Sequence, residues 1–363
     1  MHRLHDQQKI EKLHDSVTVV FALDNSFCIN LAPCIQSLIE HASPEKFYDI
    51  IVLSSDLSEA NERALESMTS DMQNVSLRVY DVSSLIDASN IKRLKTGKRL
   101  SNATYYRFFI PQLLSDYDKA LYLDGDTIIL EDISLVFNTD ISDYYAAAAK
   151  DANIIRDMSR SFAQYAEHVL GLKDTSLYFN AGVMLLNLKS IRNDFNANIF
   201  FEAAVTKGIK HHDQDVLNSL FYGKILFLHP RYNVMWLNSA FYEGMPEHDK
   251  IVGDPAIIHY SGGVKPFNKN GAFKEASSYF WQYAQKTPCY GAIAEFFHKD
   301  CLKARLLNVF EKLTLLRCKA AFLLSSGRRR RHYTERITYL KNSQRYTKMV
   351  RNGILPDWIR TAS

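Results

Sequence analysis

Two aspartates separated by one glycine, Asp124 and Asp126, directly follow the apolar run Lys119–Leu123. A run of this composition predicts a buried strand, so both carboxylates are expected on the turn at its carboxyl end. Hard carboxylate oxygens at such an edge can bind Mn²⁺ or Mg²⁺, and the metal can then bridge a diphosphate. Taken alone, the triplet more often decorates an ordinary turn, because short motifs recur by chance.

Five further groups of polar side chains fall mostly at the ends of predicted strands. They are Asp24 after Val20–Leu23, Arg107 after Thr104–Tyr106, Asn180 with Ala181 before a buried run, Asp213 with Gln214 at the start of a predicted helix, and His259 followed by Gly262 and Lys265. Singly, Asp213 is typical of a helix cap, and a lone histidine is usually structural. Their joint occurrence favours a ligand site at one edge of a sheet.

The elements that would position these groups alternate between strands and helices. Apolar runs predict strands over 17–23, 48–53, 75–80, 119–123, 146–149, 182–188 and 256–259, and helices are predicted over 31–40 and near 58–68. Continuous rather than alternating apolar runs suit strands that are buried on both faces. The pattern therefore predicts an α/β fold with a mixed, mainly parallel sheet flanked by helices.

Charge is unevenly distributed along the chain. The 363 residues carry a formal net charge of +4, but residues 303–363 hold 15 Lys and Arg against three acidic residues, which is +12 and leaves −8 on residues 1–302. Apolar positions three and four apart predict a helix over 302–320. We expect this basic segment either to pack on the folded body or to lie on an anionic membrane. Nucleic acid is the weaker alternative, because the body is acidic.

Cysteine usage and hydropathy indicate a compartment. The five cysteines are odd in number and form no CxxC pair, which favours neither a disulfide framework nor a zinc knuckle. No stretch reaches the ~18 consecutive apolar residues of a membrane span, and residues 1–12 lack an apolar core of signal-peptide type. We expect a cytoplasmic location, with peripheral attachment to the inner face of the membrane.

Six motifs, taken in order, resemble those of the family 8 glycosyltransferases over residues 16–270. They are FALDxS (21–26), TYYRF (104–108), LYLDGD (121–126), FNAGVMLLNL (179–188), HDQDVLN (212–218) and HYSGGVKPF (259–267). The nearest likeness is to bacterial lipooligosaccharide and lipopolysaccharide galactosyl- and glucosyltransferases. The resemblance implies an A-type nucleotide-sugar-binding fold and a metal-dependent transfer that retains the anomeric configuration. We expect a catalytic domain over 16–280 and a basic helical segment over 281–363.

The resemblance also implies roles for individual residues. Asp124, Asp126 and His259 match the ligands of Mn²⁺, with Mg²⁺ as the alternative, and two carboxylates with one imidazole suit manganese on coordination grounds as well. Ala22, Asp24, Ser26 and Phe27 match the nucleotide site, where Ser26 replaces a more usual asparagine and Phe27 a tyrosine. Gly262 and Lys265 match the diphosphate loop. Arg107, Asn180, Ala181, Asp213 and Gln214 match the pocket around the donor sugar.

The resemblance places Gln214 where a nucleophile beneath the anomeric carbon would lie, with Asp213 and Arg107 as its catalytic neighbours. Because an amide is a poor nucleophile, we expect the acceptor to attack from the leaving-group face through an oxocarbenium-like state.

The sequence thus predicts a hexosyltransferase that moves galactose or glucose from a UDP-sugar to a saccharide acceptor, such as lipopolysaccharide core or another surface glycan. Two alternatives stay open, an inactive UDP-sugar-binding protein and a metal-dependent nucleotidyltransferase. The complete set of metal ligands with Lys265 disfavours the first alternative. The Gly262–Lys265 loop and the Asp213–Gln214 pair disfavour the second.

Overall fold

The computed structural model describes residues 2–3, 9–13, 15–85, 102–156, 159–205, 208–236, 238–268, 271–272, 274, 276–300 and 318–319. The chain divides into two units, Met1–His259 and Tyr260–Ser363. The helix predicted over 302–320 and almost all of the basic segment lie outside the described residues, and the predicted domain boundary at 280 stays a prediction. Among the described helices, none combines the length and the apolar composition that a membrane crossing requires.

The described strands form two sheets. The strands are β1 (His2–Arg3), β2 (Ser16–Ala22), β3 (Phe47–Ser54), β4 (Val75–Asp81), β5 (Lys119–Leu123), β6 (Thr127–Ile129), β7 (Ala146–Lys150), β8 (Phe179–Asn187), β9 (Ile225–Phe227), β10 (Val234–Met235) and β11 (Ile257–His259). The large sheet has the order β1-β4-β3-β2-β5-β8-β7-β9, and the small sheet has the order β10-β11-β6. In the large sheet β8 runs antiparallel to β5 and β7, whereas every other pair is parallel. The predicted mixed, mainly parallel α/β fold is confirmed.

Helices connect and flank these strands. The α-helices are α1 (Cys28–His41), α2 (Glu59–Ser67), α3 (Ile110–Leu113), α4 (Ser134–Phe137), α5 (Ala152–Arg156), α6 (Arg160–Leu170), α7 (Leu188–Asp194), α8 (Ala197–Ala204), α9 (His212–Leu220), α10 (Ser239–Tyr242), α11 (His248–Gly253) and α12 (Ser277–Ala284). Residues 290–300 are also helical. Short 3₁₀ helices span Asn25–Phe27, Ser83–Leu85, Asn102–Phe109, Thr175–Leu177 and Pro230–Asn233.

The predicted strands and the helices predicted over 31–40 and near 58–68 form within three residues of their expected bounds. β2 shows the reason, since it lies between β3 and β5 and six of its seven residues are buried. A strand covered on both faces needs apolar side chains on both faces, which gives a continuous apolar run. The sequence did not predict β6, β9 and β10, because runs of two or three residues are too short to show a period.

An aromatic cluster fixes the segment that carries Arg107. The next residue, Phe108, is buried and packs against Phe200 and Phe201 of α8, with ring centroids 5.1 and 5.7 Å apart. The guanidinium of Arg107 itself lies over the ring of Tyr122 in β5, 4.2 Å from its centroid. The packing of Phe108 against α8 and the contact with Tyr122 of β5 therefore fix the position of Arg107.

In the second unit, the loop that begins at Tyr260 is anchored to α12. The Tyr260 hydroxyl donates to the carbonyl of Ala276 at 2.6 Å, and Trp281 Nε1 donates to the carbonyl of Pro266 at 3.3 Å. The rings of Phe267 and Phe280 pack with their centroids 5.6 Å apart. These contacts hold both ends of the Gly262–Lys265 segment within its own unit.

Candidate active site

The Asp124–Asp126 turn and His259 meet where the two sheets adjoin. β5 ends at Leu123, the two aspartates follow, and β6 begins at Thr127, which pairs with His259 of the antiparallel β11. His259 Nε2 lies 3.4 Å from Asp126 Oδ1 and 3.7 Å from Asp124 Oδ2. One ligand atom from each residue lies within 4.8 Å of the others. Residues 133 positions apart in the chain thus form one cluster.

Gly182 of β8 lies directly against this cluster. A Cβ at this position would lie 2.3 Å from His259 Cε1 and 2.8 Å from Asp124 Oδ2. The backbone of Gly182 is also fixed, because its carbonyl accepts from the Asp124 N–H at 2.7 Å and its N–H donates to Asn180 at 3.0 Å. The approach of His259 and Asp124 therefore requires glycine here.

The donor set fits a divalent cation such as Mn²⁺. Asp126 and His259 are buried, at 6% and 3% exposure, and Asp124 is partly exposed. His259 Nδ1 lies 2.9 Å from Asn233 Oδ1, which leaves Nε2 facing the two carboxylates. Two carboxylates and an imidazole whose other nitrogen is hydrogen-bonded are a typical ligand set for such ions.

Arg107 joins the cluster to the start of α9. Its Nη2 donates to Asp124 Oδ1 at 3.0 Å, and its Nη1 pairs with Asp213 Oδ2 at 3.0 Å and donates to the carbonyl of Ala181 at 2.8 Å. Burial lowers the pKa of Arg107, but the carboxylates of Asp213 and Asp124 outweigh it and raise that pKa above its ordinary value. Arg107 is thus a fixed cation that braces both acids.

The two aspartates that flank Gln214 lie in different environments. Asp213 accepts hydrogen bonds from Thr104 Oγ1 and pairs with Arg107, and burial nevertheless raises its pKa above the ordinary range. Asp215 is fully buried and accepts from four donors, namely Tyr165 Oη, Tyr178 Oη at 2.7 Å, and the backbone N–H groups of Lys210 at 3.0 Å and His211 at 2.6 Å. Asp215 therefore shapes the turn that leads into α9, whereas Asp213 belongs to the site.

Gln214, Asn180 and Ala181 lie together beside Asp151, at the carboxyl end of β7. Gln214 Oε1 accepts from the Ala181 N–H at 3.0 Å, and its Nε2 donates to Asp151 Oδ2 at 3.1 Å. Asn180 Nδ2 donates to the same oxygen at 3.0 Å. The structure thus brings the predicted sugar-pocket residues into one hydrogen-bonded group.

Two of the four predicted nucleotide residues, Asp24 and Ser26, border a cavity at the end of β2. Asp24 Oδ1 accepts from Ser26 Oγ at 2.6 Å and from the Phe27 N–H at 3.1 Å, which caps the 3₁₀ helix Asn25–Phe27. The cavity has a volume of about 370 Å³ and is lined by Asp24, Ser26, Ser55, Asp56, Asn102 and Tyr106. Ala22 and Phe27 are partly buried nearby in the chain. A polar cavity at the carboxyl end of a parallel strand is the expected place for a nucleotide in this class of fold.

Gly262 and Lys265 belong to the second unit. Gly262 has a φ of 87°, a conformation that favours glycine, and Lys265 Nζ donates to the carbonyl of Tyr260 at 3.0 Å. Their predicted role at the diphosphate stays a prediction.

Two further acidic residues at strand ends line these sites and were not predicted from the sequence. Asp56 follows the end of β3 by two residues, and Asp151 directly follows β7. Both satisfy the criterion that selected Asp24 and Asp124. Asn233 had no such signal, because it closes a 3₁₀ turn and reaches His259 only through the pairing of β10 with β11.

The mainly parallel sheet and the Asp-Asp-His cluster at its edge define the class as glycosyltransferases with the A-type fold. The family model "Glycosyl transferase family 8" matches residues 18–271. This range is most of the chain, and the protein belongs to that family. The membership predicted from the six motifs is confirmed.

Relatives of known name agree with this assignment. General stress protein A of Bacillus subtilis is 27% identical over 274 residues, which cover 72% of this chain and 91% of that protein. The lipopolysaccharide 1,3-galactosyltransferase of Salmonella typhimurium is 26% identical over 280 residues, which cover 76% and 79%. A solved structure of the galactosyltransferase LgtC with donor and acceptor sugar analogs matches with a TM-score of 0.63 at 25% identity, over 75% of this chain and 96% of LgtC. Another structure of LgtC carries a glutamine-to-glutamate substitution in its active site.

Proposed function

We propose that this glycosyltransferase moves galactose or glucose from a UDP-sugar to a saccharide acceptor and retains the anomeric configuration. The observation that carries the proposal is the convergence of Asp124, Asp126 and His259 within 4.8 Å of one another. Arg107 connects this cluster to Asp213, which precedes Gln214. The names of the galactosyltransferase relatives support a hexose donor. The family match favours a glycosyltransferase over the nucleotidyltransferase alternative.

Positive charge near the departing diphosphate stabilises the negative charge that develops on its oxygens. Asp124, Asp126 and His259 would hold a divalent ion, Mn²⁺ or Mg²⁺, which when bound supplies Lewis-acid stabilisation of the departing oxygens. Arg107 keeps Asp124 in place through its 3.0 Å hydrogen bond. We assign Asp24, Ser26, Phe27 and Ala22 to the nucleotide, and Gly262 and Lys265 to the diphosphate, where the ammonium offsets developing charge.

The hydrogen bonds of Gln214 and Asp213 support same-face attack by the acceptor. Both ends of the Gln214 amide are engaged, by the Ala181 N–H and by Asp151. Asp213 is paired with Arg107 and bonded to Thr104. Neither group is poised as a free nucleophile, so we assign Gln214, Asn180, Ala181 and Asp213 to holding the donor sugar. A trapped glycosyl adduct on Gln214 or Asp213 would contradict this mechanism.

The function is tested by UDP release from a panel of UDP-sugars, with Mn²⁺ and with a chelator. We expect Mn²⁺-dependent release from UDP-galactose or UDP-glucose, with an unchanged anomeric configuration in the product when a saccharide acceptor is supplied. The acceptor series should include lipopolysaccharide, which appears in the name of the Salmonella relative. Calorimetric binding of a UDP-hexose without turnover on any acceptor would instead indicate the inactive UDP-sugar-binding protein.

We further propose that the basic segment 303–363 holds the enzyme on the cytoplasmic face of an anionic membrane. Its net charge of +12 supports this role, because nearby Lys and Arg each contribute about 1 kcal/mol at such a surface. Deleting residues 303–363 is expected to abolish sedimentation with anionic vesicles, and raised salt should weaken the binding of the full chain. Equal vesicle binding by both forms would overturn this assignment.

A further inference from the structure

A continuous chain of buried side chains links the metal-site histidine to Gln214. His259, Asn233, Asn180 and Asp151 are each no more than 6% exposed. The hydrogen bonds join His259 Nδ1 and Asn233 Oδ1 (2.9 Å), Asn233 Nδ2 and Asn180 Oδ1 (2.9 Å), Asn180 Nδ2 and Asp151 Oδ2 (3.0 Å), and Gln214 Nε2 and Asp151 Oδ2 (3.1 Å). Four elements and the residue that follows β7 supply these side chains, so this series of hydrogen bonds exists only in the folded protein.

Two fixed groups determine which way the Asn180 amide points. Asp151 accepts N–H donors at both oxygens, from Asn153 and Ile154 at one and from Asn180 and Gln214 at the other. An ionised carboxylate can only accept, so Asn180 must present its NH₂ group to Asp151. The backbone N–H of Gly182 can only donate, so it requires Asn180 Oδ1 on its side, at 3.0 Å. A flipped Asn180 would oppose both groups.

The orientation of Asn180 then determines that of Asn233, and hence the position of the proton on His259. Asn180 Oδ1 accepts from Asn233 Nδ2, which turns Asn233 Oδ1 toward the imidazole. An amide oxygen requires a donor, so Nδ1 of a neutral His259 carries the proton. Its Nε2 lone pair is then directed at Asp124 and Asp126.

We propose that Asn233 is a positioning residue of this enzyme: its Oδ1 keeps the His259 proton on Nδ1 and so presents an unprotonated Nε2 to the metal. The opposite tautomer would set the Nδ1 lone pair against Asn233 Oδ1 and place an N–H where the ion binds. The same series of hydrogen bonds ends at Gln214. It therefore connects the proposed metal ligand His259 to a residue assigned to the donor sugar. The part of this inference that concerns metal binding rests on the proposed function, whereas the tautomer does not.

Two variants of Asn233 separate its acceptor from its donor. Asn233→Ala removes both groups, whereas Asn233→Asp keeps an acceptor for His259, replaces the donor to Asn180 with a second acceptor and adds a negative charge. If Asn233 acted only through its bond to Asn180, both variants would bind Mn²⁺ more weakly than wild type, because both lose that bond. Positioning through the acceptor predicts that Asn233→Ala binds Mn²⁺ about tenfold more weakly, the usual effect of losing a partner of a metal-ligating histidine. It also predicts that Asn233→Asp binds Mn²⁺ at least as tightly as wild type.

The experiment uses the full chain, with Mn²⁺ binding measured by calorimetry and the His259 tautomer by ¹⁵N NMR of the metal-free protein. Spectra are recorded where the imidazole is neutral, and the His259 signal is assigned by its loss in His259→Asn. We expect a protonated Nδ1 in wild type and Asn233→Asp, and mixed tautomers in Asn233→Ala. A proton on Nε2 of wild type, or equal Mn²⁺ affinity in Asn233→Ala and wild type, would overturn the inference.

If Asn233→Ala does not fold, the wild-type tautomer and the Mn²⁺ affinity of Asn233→Asp still test the proposed role of Asn233. A tenfold weaker affinity in Asn233→Asp would count against positioning through the acceptor. If wild type binds no Mn²⁺ yet shows the proton on Nδ1, the proposed metal site fails while the assignment of the tautomer stands.

Discussion

Asp126→Asn is expected to reduce Mn²⁺-dependent UDP release and sugar transfer by about three orders of magnitude, with little change in folding. Asparagine keeps the shape of the side chain but removes the negative charge and one strong ligand oxygen. A bound ion stabilises the leaving group by several kcal/mol, and each 1.36 kcal/mol changes the rate about tenfold. Asp126 is only 6% exposed and lies 3.4 Å from His259 Nε2, so its carboxylate is held within the cluster.

The measurement compares initial rates of UDP release and calorimetric Mn²⁺ binding in wild type and Asp126→Asn. Asp140→Asn is the matched control, because Asp140 is exposed and its carboxylate accepts from the Ser142 N–H, outside the cluster. The control should retain wild-type rates and wild-type affinity. An Asp126→Asn enzyme within tenfold of wild type would show that the Asp-Gly-Asp turn is not the metal site.

Gly182→Ala is expected to lower sugar transfer about 100-fold, although it adds a single methyl group. The new Cβ would meet His259 Cε1 at 2.3 Å and Asp124 Oδ2 at 2.8 Å. The backbone of β8 cannot retreat, because Gly182 is hydrogen-bonded to Asp124 and Asn180. The imidazole must therefore leave its place, and a displacement of about 1 Å in a catalytic site can reduce the rate about 100-fold. Overpacking should also cost about 1–3 kcal/mol of stability.

Gly253→Ala provides the control for Gly182→Ala. Gly253 is the last residue of α11, it has no positive φ, and an added Cβ there would meet nothing within 4 Å. We expect wild-type activity and stability from this variant, since alanine is favourable in a helix. The comparison uses Mn²⁺ binding, transfer rates and urea unfolding for all three proteins. Wild-type Mn²⁺ affinity in a folded Gly182→Ala protein would contradict the close packing of His259 on β8.

The sequence by itself determined the sheet and the local part of the site. Continuous apolar runs predict β2, β3, β5 and β8, because only a strand covered on both faces requires apolar residues without alternation. Asp124 and Asp126 are one residue apart, so their proximity follows from the covalent chain. Asp24 and Asp124 were found because ligands gather at the carboxyl ends of strands. The roles of Asp213, Gln214 and Lys265 came from the resemblance to the family and not from spacing.

Tertiary structure alone decided which distant groups meet the aspartates. The resemblance predicted His259 as their partner, but its approach to them depends on the pairing of β11 with β6. The strand β6 has three residues and was too short to predict from the sequence. Asp213 and Asp215 look equivalent in sequence, yet one faces Arg107 and the other is saturated by four donors. The importance of Asn233 and Gly182 is visible only from their contacts with His259 in the folded protein. These contacts depend on strand register and close packing, which residue types and spacing do not specify.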